Sequence, residues 1–332
     1  MTAAGTSIDD LIALVRTNED SIFSHAHKRG IDPLTLRTQL LLQLPRLVTT
    51  DYFPCEHDIR RELVAISDFV EERQRPYAQW LEQPEGPIAL SGLEFVSLDA
   101  DIAKIYHESF HYIGSYRPGI HFAFRDKNSG RIACVGSIAN FDLKHAEEKI
   151  TPGVDPRSVL VLSRFFAFRW APENTFSHFH GKLRHQLIKE FDTKLIFSFI
   201  NPNLGFNASS HKGAHWILFA REAGTRYMYL DGRYRTMRFF VQNYGMSDAK
   251  ELKEKLGNSF EISTVDLHPM SLFAIPLQRR ARKAIPAEPY LFQRPDSILG
   301  RVDKLNSDSD AGKQDKGAEA LDQLVVAGTE AA

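Results

Sequence analysis

The sequence predicts an α/β (α+β) protein: a mixed sheet with helices on its faces, preceded by a helical N-terminal extension. Three observations carry that expectation. The first ninety residues repeat apolar positions at helical spacing. From Leu93 the texture changes to short apolar runs of strand length that alternate with amphipathic stretches. The stretch 158–216 then reads as strand, polar loop, amphipathic helix, strand, and a loop rich in Asn, Ser and His. Its polar residues collect just past the strand ends, where a sheet of this kind opens a crevice for a ligand.

In order, Leu11, Ile12, Leu14 and Val15 begin the first helical run, and Leu34, Leu36, Leu40, Leu41, Leu44 and Leu47 form a second after Asp32-Pro33. A third runs from His57 to Leu81, with Ile59, Leu63, Ile66, Phe69 and Val70 on one side and charges on the other. The Pro- and Gly-bearing segment EQPEGPIALSG (82–92) is a linker or turn. LEFVSLD is a strand, and Asp99 caps a helix DADIAKIYHESFHYIG with Ile102, Ile105, Tyr106, Phe110 and Ile113 on one face and His111 on the solvent side. GIHFAFRD and RIACVGSIANF flank the turn KNSG as a hairpin. A polar loop with Pro152, Gly153 and Pro156 leads into the central strand SVLVLSRFFAF, the loop RWAPENT, the helix FSHFHGKLRHQLIKEF and the strand KLIFSFI. RYMYL and RYRTMRFFV are strands about the turn Asp231-Gly232, Asp248 to Leu256 is a helix, and HPMSLFAIPL is a strand. From about Asp303 the chain has the composition of a disordered tail. The expected division is 1–90 helical extension, 93–298 catalytic domain and 303–332 tail, with no internal repeat.

Composition narrows the function classes. The 332 residues carry 43% hydrophobic and 25% charged residues and a formal net charge of -1, which argues against a wholly basic nucleic-acid coat but not against a local basic groove. Two cysteines far apart, Cys55 and Cys134, define neither a disulfide framework nor a cysteine zinc site, and a cytoplasmic location is the simpler expectation. The N-terminus does not read as a signal peptide, and no apolar run approaches the ~20 residues that span a membrane.

Several side chains offer chemistry. His111, Tyr112, Ser177, His178, His180 and His211 are proton-transfer candidates, and Arg164, Asn174 and Asn201 are fixed donors. Arg164 interrupts an apolar strand, where an unpaired charge is costly; a structural ion pair and a ligand account for it equally. Asn174, Thr175 and Ser177 stand where a helix N-cap belongs, and capping alone explains at least one of them. His178 and His180 cannot share a helix face, whereas His211 and His215 would do so in a helix. Arg221, Arg226, Arg233, Arg235 and Arg238 interleave with Tyr227, Tyr229 and Tyr234, a pattern that suits phosphate contacts and stacking as well as an exposed hairpin. QRRARK (278–283) is either a nucleic-acid patch or a solvated turn.

The element order, with HYIG (111–114), LSRFFAF (162–168), ENTFS (173–177) and NPNLGFNASSHKGAHW (201–216), resembles the GNAT acyltransferase fold over roughly residues 93–245. Within it the residues look like the Mom-type branch, phage-encoded proteins that modify adenine in DNA, and related proteins of defence islands. The resemblance implies a mostly antiparallel sheet whose fourth and fifth strands splay to admit a thioester. It implies acyl-CoA (acetyl-CoA) as donor, a nucleobase amine as acceptor, and no metal. His111, Tyr112, Arg164, Ser177 and His211 would be catalytic, and Arg169, Asn174, Thr175 and Asn201 would hold the cofactor. The loop RWAPENTF departs from the Gly-rich Q/R-x-x-G-x-G/A pattern. Histidines stand at 211 and 215, near which the branch tends to carry Tyr and Asn.

Two other readings come from the same residues. His107-Glu108-Ser109-Phe110-His111 spells the zincin H-E-x-x-H, although Arg117 occupies the third-ligand position of the extended form. The missing glycines also suit a non-catalytic binding module of the same fold.

Overall fold

The computed structural model describes residues 7–75, 84, 86–141, 154–223, 226–265 and 267–293. The part of the third helical run beyond residue 75, positions 82, 83 and 85 of the 82–92 linker, Pro152, Gly153 and the tail lie outside them.

Of four N-terminal helices, α1 (Ile8–Thr17), α3 (Pro33–Gln43) and α4 (Glu56–Gln74) form where the apolar periodicity places them, and α2 (Glu19–Arg29), which buries only Ile22 and Ala26, was not among the expected runs. Asp32 caps α3 by accepting from Thr35 N, with Pro33 at the first turn where its missing N–H costs nothing. Their apolar faces share one core with Leu204, Tyr227, Tyr229 and Val265, so the helices pack against the rest of the chain.

The main sheet has eight strands: β1 (Leu93–Ser97), β2 (Ile120–Asp126), β3 (Ile132–Asn140), β4 (Val159–Ala167), β5 (Leu195–Ile200), β6 (Ile217–Ala223), β10 (Met270–Pro276) and β11 (Tyr290–Gln293). Their spatial order is β1-β2-β3-β4-β5-β10-β6-β11. Neighbours are antiparallel except for β4–β5 and β6–β11. It is the mixed, mostly antiparallel, helix-flanked sheet expected from the sequence. A second sheet, β8-β7-β9, joins β7 (Met228–Leu230), β8 (Arg233–Arg235) and β9 (Phe260–Ile262). Its hairpin turns at Asp231 and Gly232, both at positive φ, as the two-residue Asp-Gly turn requires.

Helix α5 (Ala100–Ser109) covers one face of the main sheet, and α6 (Thr175–Phe191) covers the other. On the α6 side Phe179, Leu183 and Leu187 meet Phe122, Phe124, Cys134 and Ile196. Short α7 (Ser209–Gly213) follows β5, and α8 (Met237–Tyr244) and α9 (Ala249–Leu256) follow β8. Among the described residues, no helix is long and apolar enough to cross a membrane.

Four local expectations are corrected. The helix expected over 99–114 ends at Ser109, where Phe110 turns into an aromatic cluster with Phe166 and Phe168, and His111 is buried rather than solvent-facing. The segment RYRTMRFFV is not one strand: Thr236 accepts from Phe239 N and starts α8, which Gly245 ends. His215 lies past α7 at φ +63 and is exposed, so it shares no helix face with His211. β6 and β11 lack the strand pattern, because Arg221 and Glu222 break the apolar run of one and the other is only four residues long.

Candidate active site

β4 and β5 pair through three registered positions, Val159 with Leu195, Leu160 with Ile196 and Val161 with Phe197, and then separate. β4 runs on for six residues to Ala167 with no β5 partner. At the same level Ser163 is an extra residue against β3, since Ser137 opposes Arg164 while Ile138 opposes Leu162. Such a bulge bends a strand and re-aims its side chains. Ser163 Oγ donates back to Ser137 O at 3.1 Å.

Beside the bulge a polar row crosses the α5 face. His121 of β2 is in register with Ser137 of β3, and Ser137 with Arg164 of β4. Ser137 Oγ lies 2.7 Å from His121 Nδ1 and 2.6 Å from His107 Nε2, which reaches in from α5. His121 Nε2 continues the chain to the hydroxyl of Tyr116 at 3.0 Å. Relative exposures of 0% for His107 and Ser137, 3% for His121 and 5% for His111 show how completely the row is withdrawn from water.

Burial, with lesser repulsion from Arg164 and His121, pushes the His107 imidazole down to about 3. Burial also lowers His121, and burial with the Arg164 and His107 charges holds His111 well below its ordinary value. All three are neutral near pH 7. The row then has two directions, and His107 Nδ1 is buried without a partner in both. If His107 donates from Nε2, that orphan is a bare lone pair. In the other direction it is a buried N–H, the rarer state. Hydrogen-bond balance therefore assigns His107 Nε2–H to Ser137, Ser137 O–H to His121, and His121 Nε2–H to Tyr116. His111 Nδ1 accepts the N–H of Ile113 at 3.2 Å, which puts its own proton on Nε2. His111 is thus a donor, not a base, until it is protonated.

Arg164 has no carboxylate within ion-pair distance among the described residues. It donates only to neutral oxygens, Ser115 O and Oγ at 3.2 Å each and Ser163 O at 2.7 Å. The structural ion pair offered by the sequence is not formed. Tyr112 stacks on His111 with ring centroids 4.5 Å apart, and its carbonyl accepts from Gln39 of α3.

The other candidates lie elsewhere. His211 is on the α6 face of the sheet, where its Nε2 meets Ser198 Oγ at 3.0 Å and its ring packs on Phe176 and Trp216. Burial lowers it to about 4, and lowers its neighbour His180 to about 3. Ser177 and His178 line a shallow depression of about 490 Å³ with Phe95, Lys182 and His185. Arg169 lies over the Phe23 ring and lines a different cavity, about 450 Å³, with Phe110, Phe166, Phe168 and Trp170. Asn174 is left-handed and makes no side-chain cap bond. The Thr175 hydroxyl is spent on Pro172 O, and Asn201 closes a turn onto Asn203. The structure therefore gathers His111, Tyr112 and Arg164 but does not bring Ser177 or His211 to them. The zincin spacing is lost because His111 lies beyond the helix, and no group of three metal-binding side chains occurs among the described residues.

Ser137, His121 and Tyr116 were not read as site residues. For Ser137 and His121 the signal is a polar residue inside an apolar strand, the one that also singles out Arg164; Tyr116 lies in the loop before β2 and carries no such signal.

Two features fit an acyl-CoA. The edge of β4 past Val161 is free to meet an extended thioester arm, and the N–H groups of Phe176 and Ser177 have no partner at the start of α6, where a diphosphate can be held. Trp170, Ala171 and Pro172 stand where glycines would allow closer approach.

No family model matches the chain, and no curated protein matches its sequence. Solved structures that match include a ribosomal-protein-S5-alanine acetyltransferase from Vibrio fischeri, 8% identical over 59% of this chain and 98% of that one, with a TM-score of 0.36. A spermidine N-acetyltransferase from Vibrio cholerae in complex with CoA and spermine is 7% identical over 56% and 96%, with a TM-score of 0.33. An N-acetyltransferase from Staphylococcus aureus Mu50 is 8% identical over 56% and 99%, with a TM-score of 0.32. Likeness this distant carries no argument about activity, which rests on the site itself.

Proposed function

We propose that the chain transfers an acyl group from acyl-CoA to an amine, and that the amine is the exocyclic nitrogen of a nucleobase in DNA, as the Mom-type resemblance implies. The observation that carries the reading is the bulged, unpaired end of β4 beside Arg164 and His111. In the reaction the amine nitrogen bonds to the thioester carbonyl carbon, the C–S bond breaks, the amine loses a proton and the thiolate gains one. His111 Nε2–H would donate to the oxygen that becomes negative, with the charge of Arg164 close by. Ser177 and the free N–H groups of α6 belong to the donor side. A base in duplex DNA must be extruded to reach such a site.

The test is to incubate the protein with acetyl-CoA and single-stranded DNA, digest the DNA and weigh its nucleosides. An added acyl mass that disappears with His111→Ala supports the reading. Unmodified nucleosides with intact acetyl-CoA overturn it and favour the non-catalytic module, for which the glycine-free loop is the supporting observation.

A further inference from the structure

We propose that Arg73 and Arg164, with the charge of Arg238 acting beside them, form a phosphate-binding recess around the loop after α5, and that the phosphate is carried by the nucleotide acceptor. This deepens the acyl-transfer reading, on which only the naming of the acceptor rests.

The loop carries a guanidinium at each of two consecutive residues. A Cβ built on Gly114, a residue at φ +62, would lie 2.7 Å from Arg73 Nη2 and 2.9 Å from Nη1, so the α4 guanidinium rests directly on this backbone. Arg164 approaches the next residue, donating to Ser115 O and Oγ. Arg238 of α8 acts electrostatically on Arg164, and Arg235 of β8 acts on Arg73.

Among the described residues none of these four arginines has a carboxylate within ion-pair distance. The charged groups that do reach them are Glu108 toward Arg73 and Asp231 toward Arg235, both beyond ion-pair range, and Arg233 toward Arg235. Nη2 of Arg73 and Nε of Arg235 are buried with no hydrogen-bond partner, and what the two guanidiniums meet is the Phe69 ring at 5.3 Å and the Phe239 ring at 4.9 Å, faces that carry no full charge. The same chain pairs its arginines elsewhere: Arg29 with Asp68 and Glu71, Arg37 with Glu19, Arg46 with Glu62 and Arg125 with Glu94. Partly buried cations that repel one another and lack a counter-charge are costly unless an anion joins them.

The donor set suits phosphate. Two guanidiniums, of Arg73 and Arg164, reach consecutive residues of one loop, and a tetrahedral oxyanion can accept from both. The hydroxyls of Tyr112 and Tyr234 interact with Arg164, make no hydrogen bond among the described residues, and are not sealed from solvent. Burial raises both phenols, so they remain O–H donors near neutral pH. Tyr112 and Phe206, with rings 5.4 Å apart, add aromatic surface beside the cations, the combination that holds a base next to its phosphate.

Calorimetry on the full chain tests this with inorganic phosphate, deoxyadenosine, its 5′-monophosphate and acetyl-CoA, against wild type, Arg238→Gln and Arg238→Lys. Arg238 is half-exposed on a short helix, and far-UV circular dichroism checks that the variants stay folded. The monophosphate should bind more tightly than the nucleoside. Arg238→Gln should weaken the monophosphate and inorganic phosphate by roughly tenfold or more, and Arg238→Lys by less. Equal binding of nucleoside and monophosphate, or an unchanged affinity in Arg238→Gln, overturns the phosphate site. Weakening confined to acetyl-CoA overturns the assignment to the acceptor. Because no turnover is read, a chain that binds phosphate this way but transfers no acyl group keeps this inference and loses the transferase reading.

Discussion

The hydroxyl of Ser137 lies 2.6 Å from Nε2 of His107, tying α5 to the third strand. The same oxygen serves His121, so a single side chain satisfies two buried imidazoles. Ser137→Ala leaves both rings short of a partner where no water replaces it. We expect a loss of about 1–3 kcal/mol in unfolding free energy, measured by urea denaturation. An unchanged midpoint would show that the row is hydrated and that the relay does not exist.

Acid should destabilise this protein earlier than it does most. His107 and His180 titrate at about 3 in the fold and His211 at about 4, against 6.5 for a free histidine. Below pH 6.5 the unfolded chain therefore binds protons that the folded chain refuses, and stability falls as pH falls. Each such histidine contributes a slope of about 1.4 kcal/mol per pH unit between its two values. The melting temperature should drop steadily from pH 6.5 to about 5.5, a window that ends where protonation of the unfolded chain brings in the lowered carboxylates Asp58, Glu71 and Asp126. His180→Phe should flatten that slope; a melting temperature flat over the window contradicts the buried neutral state.

Much of the fold was legible because it is periodic. Apolar residues at helical spacing gave α1, α3 and α4 but not the more polar α2, the KNSG and Asp-Gly turns gave both hairpins, and Asp248 marked α9, whose first amides it caps. The fork after Val161 was legible only through the family resemblance and the bulge at Ser163 not at all, since nothing local in LSRFFAF encodes where β5 departs or where β4 gains a residue. The site was half legible. Arg164 stood out as a charge in an apolar strand, but the Ser115 it bonds lies 49 residues away in the loop after α5 and the neighbouring charge of Arg238 comes from α8. Ser177 and His211 stand apart from Arg164 because they sit on helices that pack on the opposite face of the sheet, and the face a helix covers is not written in its own sequence.

Gly136 marks the closest approach of α6 to the sheet. A Cβ there would lie 2.5 Å from the Phe179 ring, which is fully buried among Phe95, Phe124 and Phe165 and cannot swing aside. Gly136→Ala should cost about 1–3 kcal/mol through overpacking, despite the better strand propensity of alanine. The double variant Gly136→Ala, Phe179→Leu should recover part of the loss, which chemical denaturation of the four-member cycle measures directly.

Arg164 separates stability from ligand use. Its guanidinium is half-buried, its neighbours are Arg238 and neutral oxygens, and burial lowers its basicity. Arg164→Met keeps the length of the side chain and removes a cation that the fold does not neutralise, while giving up three hydrogen bonds to Ser115 and Ser163. The opposed terms should leave stability within about 1 kcal/mol of wild type, in contrast to the 3–5 kcal/mol typical of breaking a buried ion pair. Binding of a nucleoside monophosphate should still fall by roughly tenfold or more, since the charge that faces the anion is gone. Arg164→Lys should retain part of the affinity through its charge but not the forked contact to Ser115. A large loss of stability in the Met variant with unchanged affinity would make Arg164 a structural residue and remove it from the site.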